Sequence, residues 1–186
     1  MKTIISFPPW SGGNHVKNML KVQNDNFDFF TRLYSKTKHK EIKQGENTVH
    51  ETKGPNLSIE IFNNDDIVCG HFGQVMSIRN DIANTKHKKW ILISPDTREC
   101  REIIANRFGE LTLDGYYDQE QLFLYESHMY HNYFKSSMND IMNISVYELW
   151  ENDIDKLLDR LDFFLPFDIN KDKAKHLHKL WRAKFK

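Results

Sequence analysis

Short β-prone runs that stop at proline or glycine and lead straight into a helix pattern recur along this chain. That alternation constrains its fold more than any single residue does. Thr3-Ile4-Ile5-Ser6-Phe7 is one such run, stopped by Pro8-Pro9, and from Asn14 to Lys21 the residues Val16, Met19 and Leu20 fall at helical spacing. Ile67-Val68-Cys69 reads as a buried strand ending at Gly70-His71-Phe72-Gly73. Trp90-Ile91-Leu92-Ile93-Ser94 is the clearest strand; after Pro95, Asp96 or Thr97 can cap a helix whose Cys100, Ile103, Ile104 and Phe108 share a face. Parallel strands need helical crossovers, and strands covered on both faces read as continuous apolar runs. The pattern predicts an α/β fold of three layers around a mostly parallel sheet.

The remaining segments fill in that plan. Asn26 to Tyr34 reads as a helix, Thr37 to Pro55 as a polar loop, and Leu57-Ser58-Ile59-Glu60-Ile61-Phe62 alternates as an extended segment does. Tyr117 to Lys135 reads as a helix and Ile141 to Val146 as a short strand. Glu148 to Leu165 reads as one amphipathic helix, with Trp150, Ile154, Leu157, Leu158 and Leu161 on its stripe and Pro166 as its stop. A last helix starts at Asn170 and carries Leu177, Leu180 and Trp181. With no internal repeat and no Gly/Ser or Pro linker, residues 1–186 are expected to form a single domain.

Composition narrows the function classes. The 26 Lys+Arg balance the 26 Asp+Glu, so there is no basic surplus of the kind that gathers nucleic acid or coats an anionic membrane. No apolar run approaches the roughly 20 residues that cross a bilayer. The start of the chain lacks the apolar stretch of a signal peptide, and two cysteines cannot form a disulfide framework, so a cytoplasmic protein is expected.

In a parallel sheet, ligands bind outside the carboxyl ends of the strands. The loop Pro8-Pro9-Trp10-Ser11-Gly12-Gly13-Asn14-His15 sets two glycines before a helix, where free N–H groups and the positive end of the helix dipole favour a phosphate; a plain N-capped turn has the same composition. The Gly-Lys-Ser/Thr of nucleotide triphosphatases is missing, which disfavours ATP or GTP hydrolysis and a small-molecule kinase. At the next strand end, His71 suits a general base by its near-neutral pKa, or a structural histidine bonded to backbone.

The stretch Phe7-Pro8-Pro9-Trp10-Ser11-Gly12-Gly13-Asn14-His15-Val16-Lys17 resembles the 5′-phosphosulfate loop of the sulfotransferases that use 3′-phosphoadenosine 5′-phosphosulfate (PAPS). Pro9, Ser11, Gly12, Gly13 and Asn14 match that loop. Trp10 stands where the family has Lys or Arg, and His15 where it commonly has Trp. The resemblance implies a P-loop-like turn that holds the phosphosulfate, with Lys17 as a substitute cation and His71 as the base that deprotonates an acceptor hydroxyl. It also places Ser94 at the family's 3′-phosphate arginine, with Arg98 and Arg101 near the same phosphate. Asn143-Ile144-Ser145-Val146-Tyr147-Glu148-Leu149 is similar to the family's later strand and Tyr-Glu motif, and Phe163-Phe164-Leu165-Pro166-Phe167 to a helix end.

The function these residues imply is sulfonate transfer from PAPS to a small-molecule or glycan hydroxyl acceptor, without a metal. The alternative is a catalytically degenerate nucleotide-binding module in which Trp10 and Ser94 have replaced the family's cations. His128 and His131, three apart near Glu126, lack a zincin pattern. Cys69 and Cys100 lack metal or redox spacing and are expected in the core. No stripe is both basic and aromatic, so no nucleic-acid partner is expected, and no membrane partner either. The acceptor and the oligomeric state have no signature in the sequence.

Overall fold

The computed structural model describes residues 1–7, 11–35, 57–94, 102, 140–150 and 153–184. The helix expected over 96–108 apart from Glu102, the helix expected over 117–135, the loop at 37–55, and Cys100, His128 and His131 lie outside these residues.

The strands are β1 (Lys2–Phe7), β2 (Ile67–His71), β3 (Lys88–Ser94) and β4 (Ile141–Ser145), and every pairing between neighbours is parallel. Their order in the sheet is β2-β1-β3-β4. Phe7 lies opposite His71, Ser6 opposite Leu92, and Ser94 opposite Ser145, so all four carboxyl ends share one edge.

Both faces of the sheet are covered, which is why its strands read as unbroken apolar runs. Side chains alternate in a strand. Ile5, Phe7, Cys69, Ile91, Ile93 and Ile144 join one buried cluster, and Ile4, Val68, Trp90 and Leu92 join the other. The first cluster is completed by α1 (Gly13–Lys21), α2 (Phe27–Ser35), and a C-terminal group of α6 (Val146–Trp150), α7 (Ile154–Phe164) and α8 (Lys171–Lys184). The second is completed by α3 (Ile59–Asn64), α4 (Phe72–Ser77) and α5 (Arg79–Asn84). The architecture is α/β with an all-parallel sheet, compatible with three layers. No helix among the described residues is long and apolar enough to cross a membrane.

Two segments differ from the sequence expectation. Residues 59–64 form a helix, not an extended run. Ser58 caps it, its hydroxyl accepting from the Ile61 N–H at 3.3 Å, so Phe62 turns into the core while Ile59 stays exposed. Removing that cap with Ser58→Ala is expected to cost about 1 kcal/mol, read as a shift in the urea midpoint. The long helix expected over 148–165 is two helices. Asp153 starts the second by accepting from the Asp155 N–H at 3.0 Å, a side-chain bond that competes with continuing the first. Helices α4 and α5 fall on residues that carry no clear periodic signal.

Candidate functional site

A sheet ordered β2-β1-β3-β4 sends its connections in opposite directions from β1 and β3. The carboxyl ends of those two strands therefore flank the topological switch point, where α/β sheets open a crevice. The turn after β1 enters α1 there. Gly12 caps the helix in the left-handed region at φ 91°, a conformation that favours glycine, and its carbonyl accepts the first helical bond from Val16 N–H at 3.0 Å.

Rings clamp this turn on two sides. A Cβ at Gly13 would lie 2.0 Å from the Phe7 ring, and one at Gly12 would lie 3.3 Å from both Leu149 and Trp181. The two glycines thus serve backbone shape and close packing, and the backbone they leave is held in one place. Ser11 beside them is fully buried.

Asn14, the second residue of α1, accepts a hydrogen bond on Oδ1 from the Cys69 thiol at 3.2 Å. Burial pushes that thiol up to about 11, so it stays a protonated donor. Cys69 is in the core, as its spacing implied.

His71 ends β2 beside the switch point. Its backbone N–H donates to Gln74 Oε1 at 3.0 Å at the start of α4, and its ring meets Phe7 edge-on, with centroids 5.2 Å apart. It is half-buried, and burial holds its pKa below the ordinary 6.5, leaving the imidazole neutral and able to accept a proton at pH 7. Gly70, just before it, serves close packing, since a Cβ there would meet Leu57 at 3.0 Å.

Ser94 ends β3, half-buried and in register with Ser145. The Ser145 N–H donates to Glu148 Oε2 at 2.9 Å and its hydroxyl accepts from Tyr147 N–H at 3.1 Å, which starts α6. Arg160 pairs with Glu148 and donates to the Asn143 carbonyl at 2.8 Å. This Ser-x-x-Glu spacing is a capping pattern that the sequence itself carries.

Two further residues occupy positions other than those the resemblance implied. The Lys17 ammonium lies 3.8 Å from Asp65, whose carbonyl accepts from Lys2 at the start of β1, and is thus drawn toward the amino edge of the sheet. His15 is buried, its ring nitrogens 3.1 Å from the Tyr34 hydroxyl and 3.0 Å from His178. Neither side chain is placed as a ligand of the turn. Pro9, Trp10, Arg98 and Arg101 lie outside the described residues. Among the described residues, no group of three or more His, Cys, Asp or Glu could hold a metal ion.

Fold and site define an α/β protein with a glycine turn and a neutral histidine on the carboxyl edge of a parallel sheet. Comparison with protein-family models, curated proteins and solved structures finds no significant match to this chain.

Proposed function

We propose that this protein binds PAPS through a P-loop-like turn at Ser11–Asn14 and transfers its sulfonate group to a hydroxyl acceptor. The observation that carries the reading is the left-handed Gly12 cap, clamped at the β1/β3 switch point with His71 on the adjoining strand end. A fixed backbone turn opening a nine-residue helix offers N–H donors that need no reorganisation as charge develops on a departing phosphate.

The donor nucleotide supplies an activated sulfonate and a good leaving group. His71 takes the proton of the acceptor hydroxyl as that oxygen bonds to sulfur, and the bond from sulfur to the 5′-phosphate oxygen breaks to release 3′,5′-bisphosphoadenosine. Ser94, at the neighbouring strand end, is the described residue placed toward the 3′-phosphate side in this reading.

A second reading, a nucleotide-binding module without turnover, is favoured by the pairing of Lys17 with Asp65, which takes the substitute cation from the turn. Calorimetry and thermal melting with 3′,5′-bisphosphoadenosine, followed by sulfonate-transfer assays on small-molecule and glycan hydroxyls, separate the two. At a hundredfold excess over Kd, a bound ligand adds about 2.7 kcal/mol, or roughly 5–10 °C in Tm for a chain of this size. Binding with transfer supports the enzyme and binding without transfer the module. An unchanged melt in millimolar ligand would defeat both.

A further inference from the structure

The first core cluster contains a feature that nucleotide binding does not use. His15 of α1 and His178 of α8 are 2% and 3% exposed, and His15 Nε2 lies 3.0 Å from His178 Nδ1. On its other side His15 Nδ1 is 3.1 Å from the Tyr34 hydroxyl of α2, and that hydroxyl accepts from the Asn18 carboxamide of α1 at 2.8 Å. The Trp181 ring stacks on His15 at 4.1 Å and 7°, and contacts Trp150 of α6 at 4.1 Å.

We propose that the His15–His178 contact is an acid-sensitive latch that holds the C-terminal helix α8 against α1 and α2 while both imidazoles are neutral. An N–H···N bond between two imidazoles needs one proton and one lone pair. A further proton would set a charge in a pocket walled by indole and phenol rings, where desolvation opposes it.

Among the described residues, the charges that act on the pair do not offset that cost. The charged and titratable groups acting on the pair are each other and Arg182, which itself disfavours a positive His178. From α2 the pair meets the Tyr34 hydroxyl, from α1 the Asn18 carboxamide through that hydroxyl, and from α6 the Trp150 ring behind Trp181. The carboxylates that α7 sends toward α8 are engaged elsewhere, Asp155 by Lys175 and Asp159 and Asp162 by Lys171.

The closed latch is also incompletely bonded. His178 Nε2 is buried with no hydrogen-bond partner among the described residues, so that atom gains water only when α8 lifts. Lifting α8 removes Trp181 from behind Gly12, whichever ligand the turn binds.

The test is site-resolved amide hydrogen exchange on the whole chain from pH 7.5 to 4.5, corrected for the intrinsic exchange rates. A latch that takes up one proton on opening loses protection in α8 about tenfold per pH unit below about 6.5, while β1 and β3 amides stay protected. In the double variant His15→Gln with His178→Asn, whose amides mimic the bonded ring nitrogens without titrating, α8 protection should no longer depend on pH. If that variant does not fold, imidazole C2–H exchange in the wild-type protein decides. Half-points for His15 and His178 well below 6.5 support the latch, and ordinary ones overturn it. Constant α8 protection in the wild type, loss of α8 and sheet protection in one step, or the same pH slope in the variant would each overturn it too.

Discussion

Gly13→Ala is expected to destabilise the protein by about 3 kcal/mol or more, at the upper end for overpacking a core. The added Cβ would sit 2.0 Å from Cδ1, 2.1 Å from Cγ and 2.3 Å from Cε1 of Phe7, well inside contact distance. The ring has little room to yield. Phe7 is 3% exposed, is anchored as the last residue of β1, and meets His71 edge-on. Gly12→Ala makes a useful comparison, because its contacts at 3.3 Å are only tight and its penalty comes mainly from placing alanine at φ 91°, about 1–2 kcal/mol. Urea melts should rank Gly13→Ala well below Gly12→Ala, and Gly12→Ala below wild type. Combining Gly13→Ala with Phe7→Ala should cost less than the sum of the two alone, since removing the ring relieves the clash. A Gly13→Ala protein within 1 kcal/mol of wild type would mean that the turn and β1 are not packed as described.

The sheet was largely readable from sequence because each strand is buried on both sides. Trp90 to Ile93 can be apolar without interruption only where helices cover both faces, and the register carries that pattern through Ile4 and Ile5 on β1. Helix α3 was misread because six residues are too few to separate a helical from an extended period. Ser58 decides between them, and a serine there has meaning only once the helix is drawn. The candidate site was legible as a set of strand ends but not as contacts. His15 lies in the glycine loop's own motif and reads as a ligand position, yet its partner His178 is 163 residues away, a separation that periodicity cannot bridge. Lys17 is a similar case. One turn into the helix is within reach of the loop, but Asp65, also remote in sequence, holds the ammonium elsewhere.

Under the sulfotransferase reading, His71→Ala should lower turnover about 10²–10⁴-fold while leaving the affinity for 3′,5′-bisphosphoadenosine within a factor of about two, because a general base contributes to proton transfer and not to holding the nucleotide. The pH profile separates this role from a structural one. Burial lowers the His71 pKa below 6.5, so the neutral imidazole predominates at pH 7 and kcat/KM should be flat there. As pH falls through the lowered pKa, the imidazolium can no longer accept the acceptor's proton, and kcat/KM should drop tenfold per unit. The His71→Ala protein, slow throughout, should lack that limb. That limb falls in the range in which the His15–His178 contact also opens, where His178, lowered to about 4 mainly by burial, makes the unfolded chain the better proton acceptor. The sign follows from the depressed value: the stabilisation is complete above 6.5 and lost progressively down to about 4, a difference worth roughly 3 kcal/mol at about 1.4 kcal/mol per unit. Loss of activity through unfolding would therefore appear in His71→Ala as well as in wild type, whereas loss through protonation of the base would appear in wild type alone. Wild-type turnover that survives His71→Ala would remove the histidine from the reaction and leave the glycine turn as a binding feature.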